Sequence, residues 1–225
     1  MKRAYLNVIK DIKCKIKKNY NSISIAFENE YGLLKIDPVR KEICYCLLCE
    51  FNQAAITLTN HLLESFLKEI LITYDAVKNN NDKRNISNLF NDATNKYANK
   101  NLHYMITEAY DNKLITEEEA NILHDLRNKY RNPFSHADPQ KIFKGMNNIP
   151  ASFINLKDIS KAEDLREKIF SPPNTLLSAK NNIMIQGILQ SIIAEKESTK
   201  YFLTLDNIIR NVRKRLYTNI KKVSI

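Results

Sequence analysis

Apolar residues recur at intervals of three and four along most of the chain, and this spacing predicts amphipathic helices. The first stripe lies within residues 2–18. Residues 22–27 instead alternate between polar and apolar side chains, which predicts a short strand. The apolar positions of the first stripe are Leu6, Ile9, Ile12 and Ile16.

The longest apolar pattern begins at Pro38 and continues to about Lys78 without a Gly or another Pro. It predicts one long helix or two abutting helices, with Asp37 as the N-cap and Pro38 in the first turn. Shorter helices are predicted over residues 86–97 and 103–111.

Thr116 and Glu119 have the spacing of a capping box, in which each side chain bonds the backbone N–H of the other. The helix that begins there continues toward Tyr130. Pro133 cannot donate a backbone hydrogen bond, and it disfavours the α conformation of Asn132. The helix is therefore predicted to end, kink or restart at this point.

Residues 138–180 have the least regular pattern, with one helix predicted near residues 161–169, and helical spacing returns over residues 181–218. Only 3 Gly and 6 Pro occur in 225 residues, too few for the many tight turns of a sheet-rich protein. We therefore predict an all-α fold, a helical bundle. Its basic N-terminal extension covers residues 1–36, and its helical domain covers residues 37–225 with an insertion at about 138–180.

The net charge of +10 is concentrated at the two ends of the chain. Residues 1–22 carry seven basic side chains against one acid, and residues 208–225 carry six against none. Basic ends of this kind are typical of proteins that contact a polyanion such as RNA. The alternative is that they are solvated helix faces that only aid solubility. The cations predicted to contact RNA are Lys13, Lys17, Lys129, Arg213 and Arg215.

Cys44, Cys46 and Cys49 form a C-x-C-x-x-C cluster that resembles a zinc motif. They fall in a helical pattern, where positions i and i+2 face different ways, so we predict small buried apolar residues and no metal or cofactor. No apolar run approaches the roughly 18 residues of a membrane span, and the N-terminus lacks the apolar core of a signal peptide. We expect a cytoplasmic protein with no membrane partner.

The most informative segment is Arg131-Asn132-Pro133-Phe134-Ser135-His136. A His of near-neutral pKa can take the proton of a ribose 2′-OH or give one to a leaving 5′-oxygen. A neighbouring Arg can hold the scissile phosphate through two bonds and stabilise its developing charge, and Asn132 can orient a hydroxyl or the His ring. Such a site cleaves RNA by internal transesterification, spares DNA and requires no metal.

Residues 126–136 resemble the signature of the HEPN superfamily (higher eukaryotes and prokaryotes nucleotide-binding). In that signature four to six residues separate an Arg from a His, and the first of them is commonly Asn or another polar residue. In that family the motif closes a helix within an all-α bundle. The resemblance implies Arg131, His136 and Asn132 as catalytic residues. It also implies a homodimer in which two motifs share a cleft, and it points to the family's toxins and phage-defence ribonucleases, with an antitoxin or regulatory protein as a further partner.

The chain departs from the family pattern in two respects. Pro133 stiffens the interior of the motif, and Ala137-Asp138 follows His136 where one subgroup has a residue and a Tyr that is modified by a nucleotidyltransferase. That form of regulation is therefore not predicted. Glu64 on the long helix is placed to pair with Arg131, either as a structural contact or to tune the site, and Ser135 is a second possible supporting residue.

Three functions remain open on these residues. The favoured one is a metal-independent endoribonuclease of toxin or phage-defence type. The alternative is a non-catalytic HEPN-like module that binds RNA, a nucleotide or a protein. The third is a helical interaction protein in which the Arg and His spacing is accidental, with His136 as a capping or core residue and Arg131 as a partner of the helix dipole.

Overall fold

A computed structural model describes residues 2–78, 85–135, 139–145, 148–151, 175–178 and 183–223. These residues are almost entirely helical, which confirms the predicted all-α class. The helices are α1 (Lys2–Glu28), α2 (Asp37–Leu48), α3 (Asn52–Lys78), α4 (Ile86–Tyr97), α5 (Leu102–Asp111), α6 (Glu117–Leu126), a π-helical turn (Arg127–Arg131), α7 (Asn132–Ser135), α8 (Pro139–Ile142) and α9 (Ile183–Val223).

α3 is the central helix of the bundle. It packs against α2, α4 and α5, and most extensively against the long C-terminal helix α9. Its inward face is mostly apolar, with fully buried side chains such as Leu62, Leu63 and Phe66. Burial of each such side chain contributes about 1.5–3 kcal/mol, so this face is the main source of core stability.

The strand predicted over residues 22–27 is wrong, because these residues belong to α1. Ile23 and Ala26 are buried in the core, and Phe27 packs partly against it. The three residues are spaced three and four apart, so the segment satisfies a helical period as well as the alternating one. The packing against α2 then favours the helix.

The segment that links α1 to α2 is fixed to α9. The buried Tyr31 hydroxyl donates to Asp206 over 2.6 Å, and the guanidinium groups of Arg40 and Arg210 lie 5.6 and 5.1 Å from its ring centre. Arg40 is itself buried and donates to the carbonyl of Ala26. Residues of the predicted N-terminal extension therefore contribute directly to the core.

The pattern from Pro38 to Lys78 forms two helices, one of the two predicted outcomes. They are separated at Glu50, whose φ is +62°. Backbone in this left-handed region cannot continue an α-helix, so the chain turns here and α3 packs beside α2. The carboxylate of Glu50 accepts a hydrogen bond from Lys18 of α1 at 2.8 Å, which connects the break to the first helix.

The predicted N-cap of α2 is wrong. Asp37 is the first residue of α2 and Ile36 is its N-cap, because the Asp37 carboxylate accepts from the backbone N–H groups of Tyr31 and Leu33 instead of capping the helix.

The helix over residues 86–97 and the capping box are confirmed. α4 spans the predicted residues 86–97, with the side chain of Asn85 accepting from the N–H of Ser87. At the start of α6 the Thr116 hydroxyl accepts from Glu119, and the Glu119 carboxylate accepts from the N–H of Thr116. The predicted capping box is therefore formed.

The predicted insertion at residues 138–180 contains a two-stranded antiparallel ribbon, which the sequence pattern did not predict. Its strands are β1 (Asn148–Ala151) and β2 (Thr175–Ser178), with Asn148 opposite Ser178. The helix predicted near residues 161–169 lies outside the described residues. Among the helices of the described ranges, none is both long enough and apolar enough to cross a bilayer.

Candidate functional site

The motif lies at an irregular turn that continues the helix after the capping box. α6 passes directly into the π-helical turn, and the turn passes into α7. The backbone N–H of Asn132 donates to the carbonyl of Arg127, five residues earlier. In a regular α-helix the ring of Pro133 would press on the carbonyl four residues before it. The wider turn lets the chain pass the proline without ending the helix.

The predicted bias of Asn132 away from the α conformation is wrong in this structure. Asn132 has φ −64° and ψ −46°, within the α region, although a proline follows it. The side chain of Pro133 is buried, and Tyr130 is buried one turn earlier. Packing of both residues favours the helical path over the extended conformation that the local sequence prefers.

Arg131 is joined to the central helix by an ion pair. Its Nε donates to Oε1 of Glu64 over 2.8 Å, and the two side chains are 27% and 32% exposed. The predicted pairing of these residues is confirmed, and its role in the site remains a prediction. A hydrogen bond at Nε orients the plane of the guanidinium, which is the group that presents paired donors to a phosphate.

Glu197 of α9 holds the same turn through two hydrogen bonds. Its Oε2 accepts from Nζ of Lys129 at 2.8 Å and from the hydroxyl of Tyr130 at 2.5 Å. The bond from Lys129, followed by that from Tyr130, lowers the pKa of the Glu197 carboxyl, and the same bond raises the pKa of Lys129. Burial, and then the hydrogen bond to Glu197, raises the pKa of Tyr130. All three groups therefore keep their bonding forms at neutral pH.

A buried tyrosine pair connects the turn to α3 and α9. The rings of Tyr130 and Tyr201 are stacked, with centroids 4.4 Å apart and an interplanar angle of 18°. The Tyr201 hydroxyl donates to Oδ1 of Asn60 over 2.8 Å, and burial raises the pKa of Tyr201. Asn60 and Glu64 are one turn apart on α3, so successive turns of the central helix hold the motif, one directly and one through Tyr201.

The sequence-predicted catalytic residues are only partly within the described structure. Arg131 and Asn132 are described, and both side chains are partly exposed at the turn. Ser135 ends α7, and only its backbone is described. His136 lies outside the described residues, so its position relative to Arg131 stays a prediction.

The five cations predicted to contact RNA have different surroundings. Lys13 and Lys17 are exposed on α1. Lys129 bonds Glu197, and Arg215 bonds Glu119, the residue of the capping box, through both terminal nitrogens. The guanidinium of Arg213 lies against Gly32, so close that a Cβ atom added to this glycine would be 2.7 Å from Nη2 of Arg213. The structure thus brings Lys129 to the motif and joins Arg215 to the start of α6.

Two histidines away from the motif lie together between α5 and α6. The rings of His103 and His124 have centroids 4.9 Å apart. Burial, and then the charge of His103, lowers the pKa of His124. His61 is exposed on α3, three residues before Glu64, and its Nε2 lies 3.4 Å from the hydroxyl of Ser65.

The cysteine cluster lies on and just after α2. Cys44 is buried and Cys46 is partly buried. Burial raises the pKa of Cys44 to about 12 and also raises that of Cys46. Both thiols are therefore protonated at neutral pH in the metal-free chain. Within the ranges described above, no group of three or more His, Cys, Asp or Glu side chains is arranged to hold a metal ion.

Comparison with known proteins identifies no relative. No protein-family model, no curated protein and no solved structure matches the chain.

Sequence reasoning missed Glu197 and Tyr201, although both hold the motif. They are four residues apart on α9 and therefore share one face of that helix. The available signal was a carboxylate and a tyrosine at this spacing in an amphipathic helix. That signal is weak, because it does not say which other helix the face contacts.

Proposed function

We propose that the chain is a HEPN-type, metal-independent endoribonuclease. The observation that carries this proposal is the ion pair between Arg131 and Glu64 at a π-helical turn. It gives the motif arginine a fixed orientation and leaves its side chain partly exposed. Insertions of one π turn are costly to a helix and occur frequently at functional sites. The all-helical bundle is also the setting in which the resembled family carries its motif.

In the proposed reaction each motif residue has a separate task. His136 removes the proton of the ribose 2′-OH or returns one to the leaving 5′-oxygen. Arg131 binds the scissile phosphate and stabilises the charge that develops on it, while Glu64 keeps the guanidinium in position. Asn132 orients the attacking hydroxyl or the His ring. The products are a 2′,3′-cyclic phosphate and a 5′-hydroxyl.

The decisive experiment is incubation of the purified protein with total RNA in the presence of EDTA, followed by analysis of the cleaved ends. We expect cleavage with 2′,3′-cyclic phosphate ends, and resistance of a substrate that has 2′-deoxyribose at the cut position. His136→Ala should abolish cleavage, because removal of a positioned acid–base group costs about 10²–10⁴ in rate.

His103→Ala is the matched control for that substitution, because His103 is an exposed histidine away from the motif. It should cleave as fast as the unaltered protein. Equal cleavage by the His136→Ala protein, or no cleavage of any RNA class by either protein, would remove the enzyme proposal.

The resemblance also leads us to propose a homodimer with a composite cleft, and an antitoxin or regulatory protein as a further partner. Light scattering tests the dimer directly. A monomer throughout the micromolar range would contradict a shared site, although a cleft within one chain would then still be testable by the cleavage assay.

The alternative function is a non-catalytic module in which the motif binds RNA, a nucleotide or a protein. Lys129 and Arg131 each bond a carboxylate, Glu197 and Glu64 respectively. These ion pairs orient the two cations for binding whether or not a reaction follows, so the cleavage assay separates the two functions. For the non-catalytic module, Arg131→Lys should weaken RNA binding while the unaltered protein shows no cleavage.

A further inference from the structure

The first half of α1 is exposed, unlike the second half of the same helix. Ile23 and Ala26 are 1% exposed in the core. Tyr5, Leu6 and Val8 are 65%, 62% and 56% exposed, and Ile9 and Ile16 are each 36% exposed. A helix end of this kind is a solvent-facing apolar surface with no function in the core.

These apolar side chains cover a broad arc of the helix. At about 100° per residue, Leu6 and Val8 lie roughly 160° apart around the axis, with the other three side chains between them. The seam that a helix presents to one partner helix is narrower, on the order of 100°. A single partner helix would therefore leave one edge of the arc uncovered, whereas a flat apolar layer covers both edges.

Lysines occupy the borders of this arc. Lys10 and Lys17 lie just outside the Leu6 edge and Lys13 lies just inside it. All three are exposed, and none of them forms an ion pair in the part of the chain that the structure describes. On the Val8 edge, Lys15 pairs with Asp11 at 2.8 Å. A long basic side chain at the border of an apolar face can lay its methylene groups along that face and extend its ammonium outward.

We infer that the first half of α1, residues 2–18, lies on an anionic phospholipid surface. The apolar arc would enter the boundary between head groups and acyl chains, and the bordering lysines would contact the phosphates. RNA supplies the same phosphate charge, but it has no aliphatic layer to cover Leu6, Val8 and Ile9. A second copy of the chain would bring two strongly basic helix ends together, which opposes pairing through this face.

This inference differs from the expectation, drawn from the sequence, that the protein has no membrane partner. A helix that lies on a surface needs one apolar face, whereas a spanning helix must be apolar throughout. The inference is independent of the proposed ribonuclease activity, because the motif at Arg131 plays no part in it.

The test is sedimentation of the full chain with two kinds of vesicle, one of phosphatidylcholine alone and one of phosphatidylcholine with phosphatidylglycerol. We expect binding to the anionic vesicles only. The double variant Leu6→Ser, Ile9→Ser should bind at least about 10-fold more weakly. The triple variant Lys10→Gln, Lys13→Gln, Lys17→Gln should bind on the order of 100-fold more weakly.

The matched control is the double variant Ile25→Ser, Leu34→Ser. These apolar residues are 73% and 95% exposed, so they are at least as accessible, but they lie outside the arc. The control should bind vesicles like the unaltered chain, and circular dichroism should show that every variant keeps its helices.

Three results would overturn the inference. The first is failure of the unaltered chain to bind anionic vesicles. The second is vesicle or RNA binding that depends on the lysines but not on Leu6 and Ile9, which would identify a contact with phosphates alone. The third is a dimer in light scattering that the Leu6→Ser, Ile9→Ser variant loses while vesicle binding is absent, which would identify a second copy as the occupant.

Discussion

The π-helical turn and the first half of α1 both carry several cations, yet their surroundings are opposite. At the turn, Lys129 and Arg131 each bond a carboxylate from a different helix, α9 or α3. On α1, Lys13 and Lys17 are exposed, and their neighbours are exposed apolar side chains. A paired cation has a fixed direction, whereas an exposed lysine supplies charge without one.

This difference separates two kinds of recognition. A fixed guanidinium can position one phosphate for chemistry, because its donors do not have to be ordered when the ligand arrives. Exposed lysines around an apolar face can attract an extended anionic surface but cannot select one atom of it. The net charge of the chain does not distinguish these cases, since both regions contribute to it.

The largest expected effect concerns the fixed cation. Arg131→Lys keeps the charge but loses the planar group that Glu64 orients, so cleavage should fall by a factor on the order of 10²–10³. The measurement is the initial rate of RNA cleavage. Arg127→Lys, four residues earlier in the same turn, is the control and should retain most of the rate. Loss of rate in both variants to the same extent would mean that the turn, and not Arg131, is what the reaction requires.

The next effect concerns the buried contacts that hold the turn. Tyr201→Phe removes the hydroxyl that donates to Asn60, and it should lower the free energy of unfolding by about 0.5–1.5 kcal/mol, because a buried hydrogen bond is lost. Urea denaturation measures this change. Tyr5→Phe, at an exposed position of α1, should change stability by less than about 0.5 kcal/mol. Equal effects of the two substitutions would contradict the contrast between the regions.

A smaller effect is expected from pH. The pKa of Glu197 is lowered in the folded chain by the hydrogen bond from Lys129. Its contribution to stability is therefore complete above the unfolded value, near 4.5, and is lost as the pH falls through the lower folded pKa. The pKa of Lys129 is raised, so its contribution is complete below about 10.5 and is lost as the pH rises through the folded pKa.

As the pH falls below about 4.5, the Glu197→Gln protein should lose less stability than the unaltered protein does. Thermal unfolding at a series of pH values measures this difference. Glu42→Gln, which removes a carboxylate from an exposed position of α2, is the control and should change the dependence of stability on acid pH less than Glu197→Gln does. If the Glu197→Gln protein and the unaltered protein lose the same stability at acid pH, the bond to Lys129 contributes nothing to stability.

The smallest effect is expected on the exposed side of the comparison. Lys13→Gln and Lys17→Gln should each leave the free energy of unfolding within about 0.5 kcal/mol of the unaltered value, because both side chains are exposed. Urea denaturation again provides the measurement. A larger loss in either variant would mean that the lysine contributes to the fold and is not simply a surface charge.

The local signals in the sequence predicted most of the helices. The bounds of α4 and the capping box of α6 agree with the prediction, because N-caps and apolar spacing act over a few residues. The prediction failed at residues 22–27, where both periods fit the same residues. It also failed at Asn132, where the bias before proline was overridden by packing.

For the candidate site, the sequence identified Arg131, Asn132 and Glu64, and it proposed the contact between Arg131 and Glu64 that the structure contains. It did not identify Glu197 or Tyr201. Nor did it indicate that Arg215 bonds Glu119, 96 residues away, and so joins the basic C-terminal helix to the start of α6. Charge counts along a chain do not reveal such partners.

By itself, the sequence determined the fold class, the ends of several helices and the position of the motif, because these depend on interactions between residues a few positions apart. Only the tertiary structure decided which cations of the chain are paired. It also decided that a π-helical turn precedes Pro133 and that the chain then continues as α7, and it decided that β1 pairs with β2. These outcomes depend on the rotation and offset of one helix or strand against another. Many distant side chains set those parameters together, so no local pattern encodes them.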